Sequence, residues 1–329
     1  MIGSQALKTS LAWGTVVTGT AALARRRRTG TLRILMYHGV VPRREGPAAF
    51  GDLFMSERAF ARQMRHLTRA YTVISLDDVM DTLETRGSFP DRAVLVTFDD
   101  GYRNTVQYAL PILRSLGLPA AVFVTPALVG TQDFLWFDAL RVLVAHGAVS
   151  GLRFPDPTRG FAAWTRHVAA LPRGQREAVC EQITAACRTK GLCERHPEFA
   201  LATWDDWRHA LDGGRLSIGS HGLRHGDLLA MTLEEQLDDL RRSKCMIEQQ
   251  LGRPCRAVAY PHGRWNAQVA RAAEQAGYTC GVTTVDGLNT GRADRFALRR
   301  TMIGDQGNFH LFCARVSGVW DRLRDAARR

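Results

Sequence analysis

The sequence predicts an α/β protein, a distorted (β/α) barrel of about seven to eight parallel strands that carries a helical insertion. Three observations predict it. Short apolar, β-branched runs recur along the chain, segments of helical periodicity lie between most of them, and one long stretch breaks the rhythm. Strands alternating with helices favour parallel pairing. About eight strands in roughly 270 residues suit a barrel better than an open doubly wound sheet. No GxGxxG follows a strand and no GxxxxGK(S/T) is present, which leaves dinucleotide and P-loop readings without support.

The strand-like runs are residues 32–37, 71–75, 94–98, 120–124, 216–219, 257–260, 280–284 and 296–302. Helical periodicity covers 60–70, 106–116, 233–251 and 266–276. The segment 233–251 is the clearest case. Leu233, Leu237, Leu240, Met246, Ile247 and Leu251 fall near helical spacing, Thr232 with Glu235 forms a capping box, and Gly252 and Pro254 stop it. Residues 133–212 depart from the alternation and read as a helical insertion. Its Trp136, Trp164, Trp204 and Trp207 are expected in a core rather than as sugar-stacking platforms. Residues 309–327 place Phe309, Phe312, Val316, Val319, Trp320 and Leu323 on one face of a surface helix. The expected division is 1–30 as an apolar and basic segment, 31–305 as the barrel with its insertion, and 306–329 as a basic amphipathic helix.

Composition is that of an ordinary globular protein, with 45% hydrophobic and 23% charged residues. Seven cysteines at irregular spacing contain no CxxC pair, which argues against a zinc ribbon, a thioredoxin-like site and a disulfide framework. Unpaired thiols suit a reducing compartment. The net charge of +12 is concentrated in the run Arg25 to Arg28 and in a tail with Arg315, Arg322, Arg324, Arg328 and Arg329. Such ends can meet an anionic membrane surface or simply be solvated, and nucleic acid is the less favoured partner. The short apolar stretch 11–24 has its stronger positive charge behind it, opposite to a secretory signal. A cytoplasmic location, or association with the cytoplasmic face of the membrane through residues 1–30, is therefore expected, with a secreted or periplasmic location as the alternative.

Polar residues gather at the strand ends. Met36-Tyr37-His38, Thr97-Phe98-Asp99-Asp100-Gly101, Ser220-His221 with His225, Tyr260-Pro261-His262-Gly263 and Leu298-Arg299-Arg300 would all reach one mouth of a parallel barrel. Successive strand residues face opposite ways, so Asp99 and Asp100 can share a site only where the strand breaks, and Gly101 supplies the break. Two adjacent carboxylates can then divide the work, one ionised on a metal and the other a general base. Alone, Asp-Asp-Gly is also a common turn. His221 and His225, spaced i, i+4, present two imidazoles that with Asp100 make a two-nitrogen, one-carboxylate site, for which zinc is the first expectation and cobalt, nickel or iron would also fit. His38, at a strand end, is a candidate general acid.

TFDDG at 97–101 together with SHGLRH at 220–225 resembles the polysaccharide deacetylases of carbohydrate esterase family four, the NodB-homology group, over about residues 32 to 303. MYHGV at 36–40 and AYPHG at 259–263 look like the branch whose histidine motif precedes TFDDG, which includes deacetylases of poly-N-acetylglucosamine. The resemblance implies Asp99 as catalytic base, Asp100, His221 and His225 as metal ligands, and His38 as general acid. It implies Tyr260, Pro261 and His262 on the oxyanion and substrate side, with the His262 amide as oxyanion donor, and Arg299 orienting the base. There are departures. Gly222 replaces the usual Ser or Thr, His262 a common Tyr, and Ala259 an arginine. The activity implied is metal-dependent hydrolysis of the N-acetyl or other N-acyl group of an amino sugar, in a polysaccharide or a lipid-linked sugar. Hydrolysis of a non-sugar amide or cyclic imide would use the same site. A non-catalytic membrane- or nucleic-acid-binding protein is the alternative of another class, and it predicts dispensable metal ligands.

Overall fold

The computed structural model describes residues 2–42, 53–149, 151–152, 160–304 and 308–321. Its strands are β1 (Thr31–Tyr37), β2 (Gly39–Val41), β3 (Phe54–Ser56), β4 (Thr72–Val73), β5 (Ala93–Phe98), β6 (Ala120–Val124), β7 (Leu216–Ser220), β8 (Ala257–Ala259), β9 (Cys280–Val282), β10 (Asn289–Thr290) and β11 (Arg300–Met302). All eight expected runs contain a strand, several of them shorter than expected. The order β1-β5-β6-β7-β8-β9 is parallel throughout. The segment 298–302 joins the two ends: Leu298 bridges to Val282 on β9, and Ile34 on β1 pairs in parallel with Arg300 on β11. The result is a closed, irregular (β/α) barrel. Strand β4 adds beside β5 and β10 runs antiparallel to β1, while β2 and β3 form a separate pair.

Strand alternation sorts the apolar residues into two layers. Leu32, Ile34, Leu95, Ala121, Phe123, Ala257, Ala259, Val282 and Leu298 fill the barrel interior, closed from below by Leu76, Val79 and Met80 of helix Leu76–Glu84. Leu35, Tyr37, Val94, Val96, Phe98, Val122, Ile218, Val258 and Tyr260 face outward against the helices. Gly219 is required by this packing, because a Cβ there would stand 2.6 Å from the Phe123 ring. Helix Leu233–Leu251 has the expected bounds, with the Thr232–Glu235 capping box formed and Gly252 left-handed at φ 62°.

Within 133–212, helices Trp136–Ala145, Gly160–Ala170, Arg173–Thr189 and Leu192–Arg195 build a satellite core from Leu140, Leu143, Trp164, Val168, Ile183 and Cys187. Trp207, on helix Trp204–Leu211, is buried in the barrel's own outer layer instead. The expected helix over 309–327 is shorter. Phe309–Ser317 ends at Gly318, whose φ of 84° breaks the helix, and 322–327 lie outside the described residues. Helices Ile2–Val17 and Thr20–Arg26 pack on it through Ala12, Ala21, Ala24, Leu311 and Ala314. Among the described residues no helix is long and apolar enough to cross a membrane.

Candidate active site and metal centre

The interior register carries the site. The side chains of β1 that face inward are Leu32 and Ile34, so Met36 and then His38 continue that phase at the mouth. By the same counting Ala93, Leu95 and Thr97 lead to Asp99, and Leu298 leads to Arg300. Asp100 would point away, but its φ of 74° and the φ of 84° at Gly101 turn the chain and return its carboxylate to the mouth. His225 (φ 55°) and His262 (φ 58°) are left-handed as well. Five non-glycine residues adopt positive φ among those described, and three are in this cluster, which is where strained backbone is expected to concentrate.

Asp100, His221 and His225 are buried, and one ligand atom from each lies within 4.8 Å of the others. Asp100 Oδ1 is 3.5 Å from His221 Nε2 and 3.4 Å from His225 Nε2. Two ligands at the usual tetrahedral zinc distances stand about 3.4 Å apart, so the spacing fits a shared cation. Asp100 Oδ1 is also buried without a hydrogen-bond partner. Burial, then the neighbouring Asp99 and Asp138, push its carboxyl well above the usual range. A cation would reverse that push. His221 Nδ1 lies 2.8 Å from the Ala259 carbonyl, which places the proton on Nδ1 and leaves Nε2 as a donor of electrons. Burial keeps His221 and His225 neutral, the form a ligand must have.

Asp99 is 2% exposed and is gripped by both arms of the Arg300 guanidinium, with Nη1 donating to Oδ1 at 2.6 Å and Nη2 to Oδ2 at 2.7 Å. Arg300 is itself steered by Nε donating to the Thr283 carbonyl. Burial alone would raise the Asp99 pKa, but Arg300 and His221 outweigh it and hold the carboxyl below its ordinary value. It is therefore ionised at neutral pH. His38 lies within the electrostatic reach of Asp99, His221 and Arg300. Its enclosure pulls its pKa to about 4, against the attraction of Asp99.

Two sequence expectations require correction. Arg299 is exposed, and the contact with Asp99 belongs to Arg300. The reason is phase: Leu298 faces the interior, so Arg300 does too, and Arg299 faces out. The Tyr260 side chain does not reach the mouth. It is in the outward phase of β8, fully buried, with its hydroxyl donating to the Phe296 carbonyl at 2.9 Å. Pro261 and His262 do stand in the turn Pro261–Gly263 at the site. The His262 ring, 4.5 Å from that of His225, joins Phe137, 4.9 Å from His225, as a wall. Gly222 is left-handed at φ 74°, a conformation that Ser or Thr would adopt only with strain. The loop it belongs to is held by Ser220 Oγ, which accepts from the Gly222 amide, and by Asp239, which accepts from the Leu223 amide.

Sequence reasoning missed three residues. Arg300 could have been found by counting phase from Leu298. Asp138, whose Oδ2 accepts from the Tyr102 hydroxyl at 2.6 Å behind Asp100, and Phe137 lie on the insertion and had no local signal. Burial raises the Asp138 carboxyl to about 7, although the Tyr102 hydrogen bond and Arg141 pull the other way. A pocket of about 510 Å³ opens beside His225 and His262, between the barrel and the insertion.

Comparison with known proteins bears on the family and the fold. A profile of the polysaccharide deacetylase family matches residues 86–281. The Bacillus subtilis protein YxkH, which carries that family's name, is 21% identical over 285 residues, 86% of this chain and 75% of its own. Among solved structures, the Streptococcus pyogenes deacetylase PplD in complex with acetate is similar at a TM-score of 0.58 and 20% identity, over 84% of this chain and 93% of that one. IcaB from Ammonifex degensii is similar at a TM-score of 0.59 and 18% identity, over 87% and 97%. At these identities the structural likeness speaks for the fold. With the profile covering more than half of the chain, this protein belongs to the polysaccharide deacetylase family, hydrolases of carbon–nitrogen bonds other than peptide bonds.

Proposed function

We propose that the protein removes the N-acetyl group of an amino sugar in a polysaccharide or glycolipid, with a divalent cation held by Asp100, His221 and His225. Zinc suits two imidazoles and one carboxylate best. The observation that carries the reading is the pairing of two unlike carboxylates: Asp100, whose Oδ1 is buried without a hydrogen-bond partner beside two histidines, and Asp99, locked ionised by Arg300. A cation bound there supplies Lewis-acid polarisation of the acyl carbonyl and acidifies water.

The chain's own groups do the rest. Asp99 accepts the proton of the attacking water, and its grip by Arg300 aims the carboxylate. The turn at His262 offers a backbone amide to the developing oxyanion. His38, kept neutral at rest by its enclosure, takes over the proton that Asp99 drew from the water and delivers it to the departing amine. Phe137 and His262 shield the reacting atoms from bulk water.

The test is acetate release from N-acetylglucosamine oligomers and glycolipids by metal-loaded protein, with chelator controls. Asp99→Asn is expected to lower turnover by at least about 10³-fold while metal content stays at the wild-type level. Undiminished turnover in that variant, or full activity after chelation, would refute the assignment.

The N-terminal helices support a second element of the reading, attachment to an anionic membrane face. Leu11, Trp13, Val17 and Leu23 are each about half exposed near the exposed Arg26 and Arg27, whereas Arg28 is buried and donates to the Val316 and Ala93 carbonyls. The exposed set is a surface suited to lying in a lipid interface. Co-sedimentation with anionic vesicles but not with zwitterionic ones is expected, and Trp13→Ala with Leu23→Ala should reduce it. Equal binding to both vesicle types would discard the idea.

A further inference from the structure

The pocket beside the metal centre contains a cation that the mechanism does not use. Arg176, in the first turn of helix Arg173–Thr189, is only 5% exposed and lines the pocket together with His225 and His262. Its Nη1 has no hydrogen-bond partner, and no carboxylate pairs with it among the described residues. The guanidinium sits close to the ligand loop. Its Nη2 lies 3.8 Å from where a Cβ on Gly226 would stand, one residue beyond His225.

The pocket's other charges are already engaged or peripheral. Asp133 pairs with Arg188, Asp227 with Arg264, and Asp239 accepts from the Leu223 amide. Arg242 pairs with Asp238. Glu177 and Glu181 are exposed at the outer rim. A guanidinium taken out of water without a counter-charge is costly, and such a group persists where a ligand completes it. Its planar fork matches a carboxylate or a phosphate in two parallel hydrogen bonds. The volume admits about one or two sugar rings between this fork and the metal centre.

We propose that Arg176 is a specificity-determining residue that recognises an oxyanion on the substrate: the amino sugar taken here carries a carboxylate or a phosphate ester close to its N-acyl group. The proposal rests on the deacetylase reading above and specifies its substrate class. Arg188 and Arg264 cannot serve in its place without releasing Asp133 and Asp227.

The experiment compares three probes: N-acetylglucosamine phosphate, N-acetylmuramic acid and neutral N-acetylglucosamine oligomers. Equilibrium binding to metal-loaded protein and acetate release are both measured, for the wild type, Arg176→Gln and Arg176→Lys. The wild type should bind at least one acidic sugar roughly 10-fold or more tightly than the neutral oligomers. In Arg176→Gln that preference should fall toward one, through KM more than kcat, and Arg176→Lys should retain part of it. A preference for phosphate alone or for carboxylate alone identifies which oxyanion is read. Thermal melts show whether the variants are folded, and the wild-type preference decides the matter even if Arg176→Gln is not. Equal wild-type binding of acidic and neutral sugars overturns the proposal whatever the turnover. No acetate release from any probe, with the binding preference intact, would instead count against the deacetylase reading and leave Arg176 as an oxyanion site.

Discussion

The barrel mouth and the helical insertion meet at one pocket, but they are built differently. At the mouth, Asp99, His221 and Arg300 are set by strand register, and each has its polar atoms tied to a named partner: Arg300 holds Asp99, Ala259 holds His221, Thr283 holds Arg300. Across the pocket the insertion contributes Phe137, Asp138 and Arg176 from helices packed on a separate small core. A parallel barrel positions side chains to a fraction of an ångström because each strand is hydrogen-bonded on both sides. A helical insertion can change its length and charge without disturbing that frame. Under the proposed function the difference teaches a division of labour, in which the barrel would carry the reaction and the insertion would select what is presented to it.

That division can be broken at either side. On the barrel side, Arg300→Gln should lower kcat/KM roughly 10–100-fold, since it frees the expected base from its bidentate grip. It should also move the acidic limb of the pH–rate profile upward. Arg300 opposes the upward push of burial on Asp99, and its loss leaves that push less balanced. A variant with an unshifted limb would show that Arg300 matters only for packing.

On the insertion side the expected effect is smaller and appears in stability before turnover. The folded-state pKa of Asp138 is raised from 3.8 to about 7, so the folded protein holds this proton more tightly than the unfolded chain does. Its contribution is fully present below about pH 4 and is lost as the pH rises through about 7. Asp138→Asn keeps an acceptor for the Tyr102 hydroxyl and removes the titration. The melting temperature of the variant should therefore vary less between pH 4 and 7 than that of the wild type. An unchanged slope would place the buried proton elsewhere. The Arg176 variants complete the comparison, because they are expected to alter which sugar is accepted rather than how the amide is cleaved.

Much of this was legible in the residues themselves. The alternation of β-branched runs with periodic helices is a local signal, and it located a strand in each expected run and the full length of helix Leu233–Leu251. TFDDG and the i, i+4 histidines were legible because side chains at strand ends converge in any parallel barrel. Strand phase was also present in the sequence, and following it from Leu298 would have chosen Arg300 over Arg299 and placed Tyr260 in the outer layer.

Other features had no sequence signature. That Asp100 turns back to meet His225 depends on two consecutive left-handed residues, and Gly101 announces only one of them. That Asp138 backs Tyr102, or that Arg176 stands without a partner beside His225, depends on how helices distant in the chain dock on the barrel. Local patterns are decided by the steric and hydrogen-bonding preferences of neighbouring residues, which the sequence alone determines. A buried charge becomes informative only when every group that could have neutralised it has a position, and only the tertiary structure assigns those.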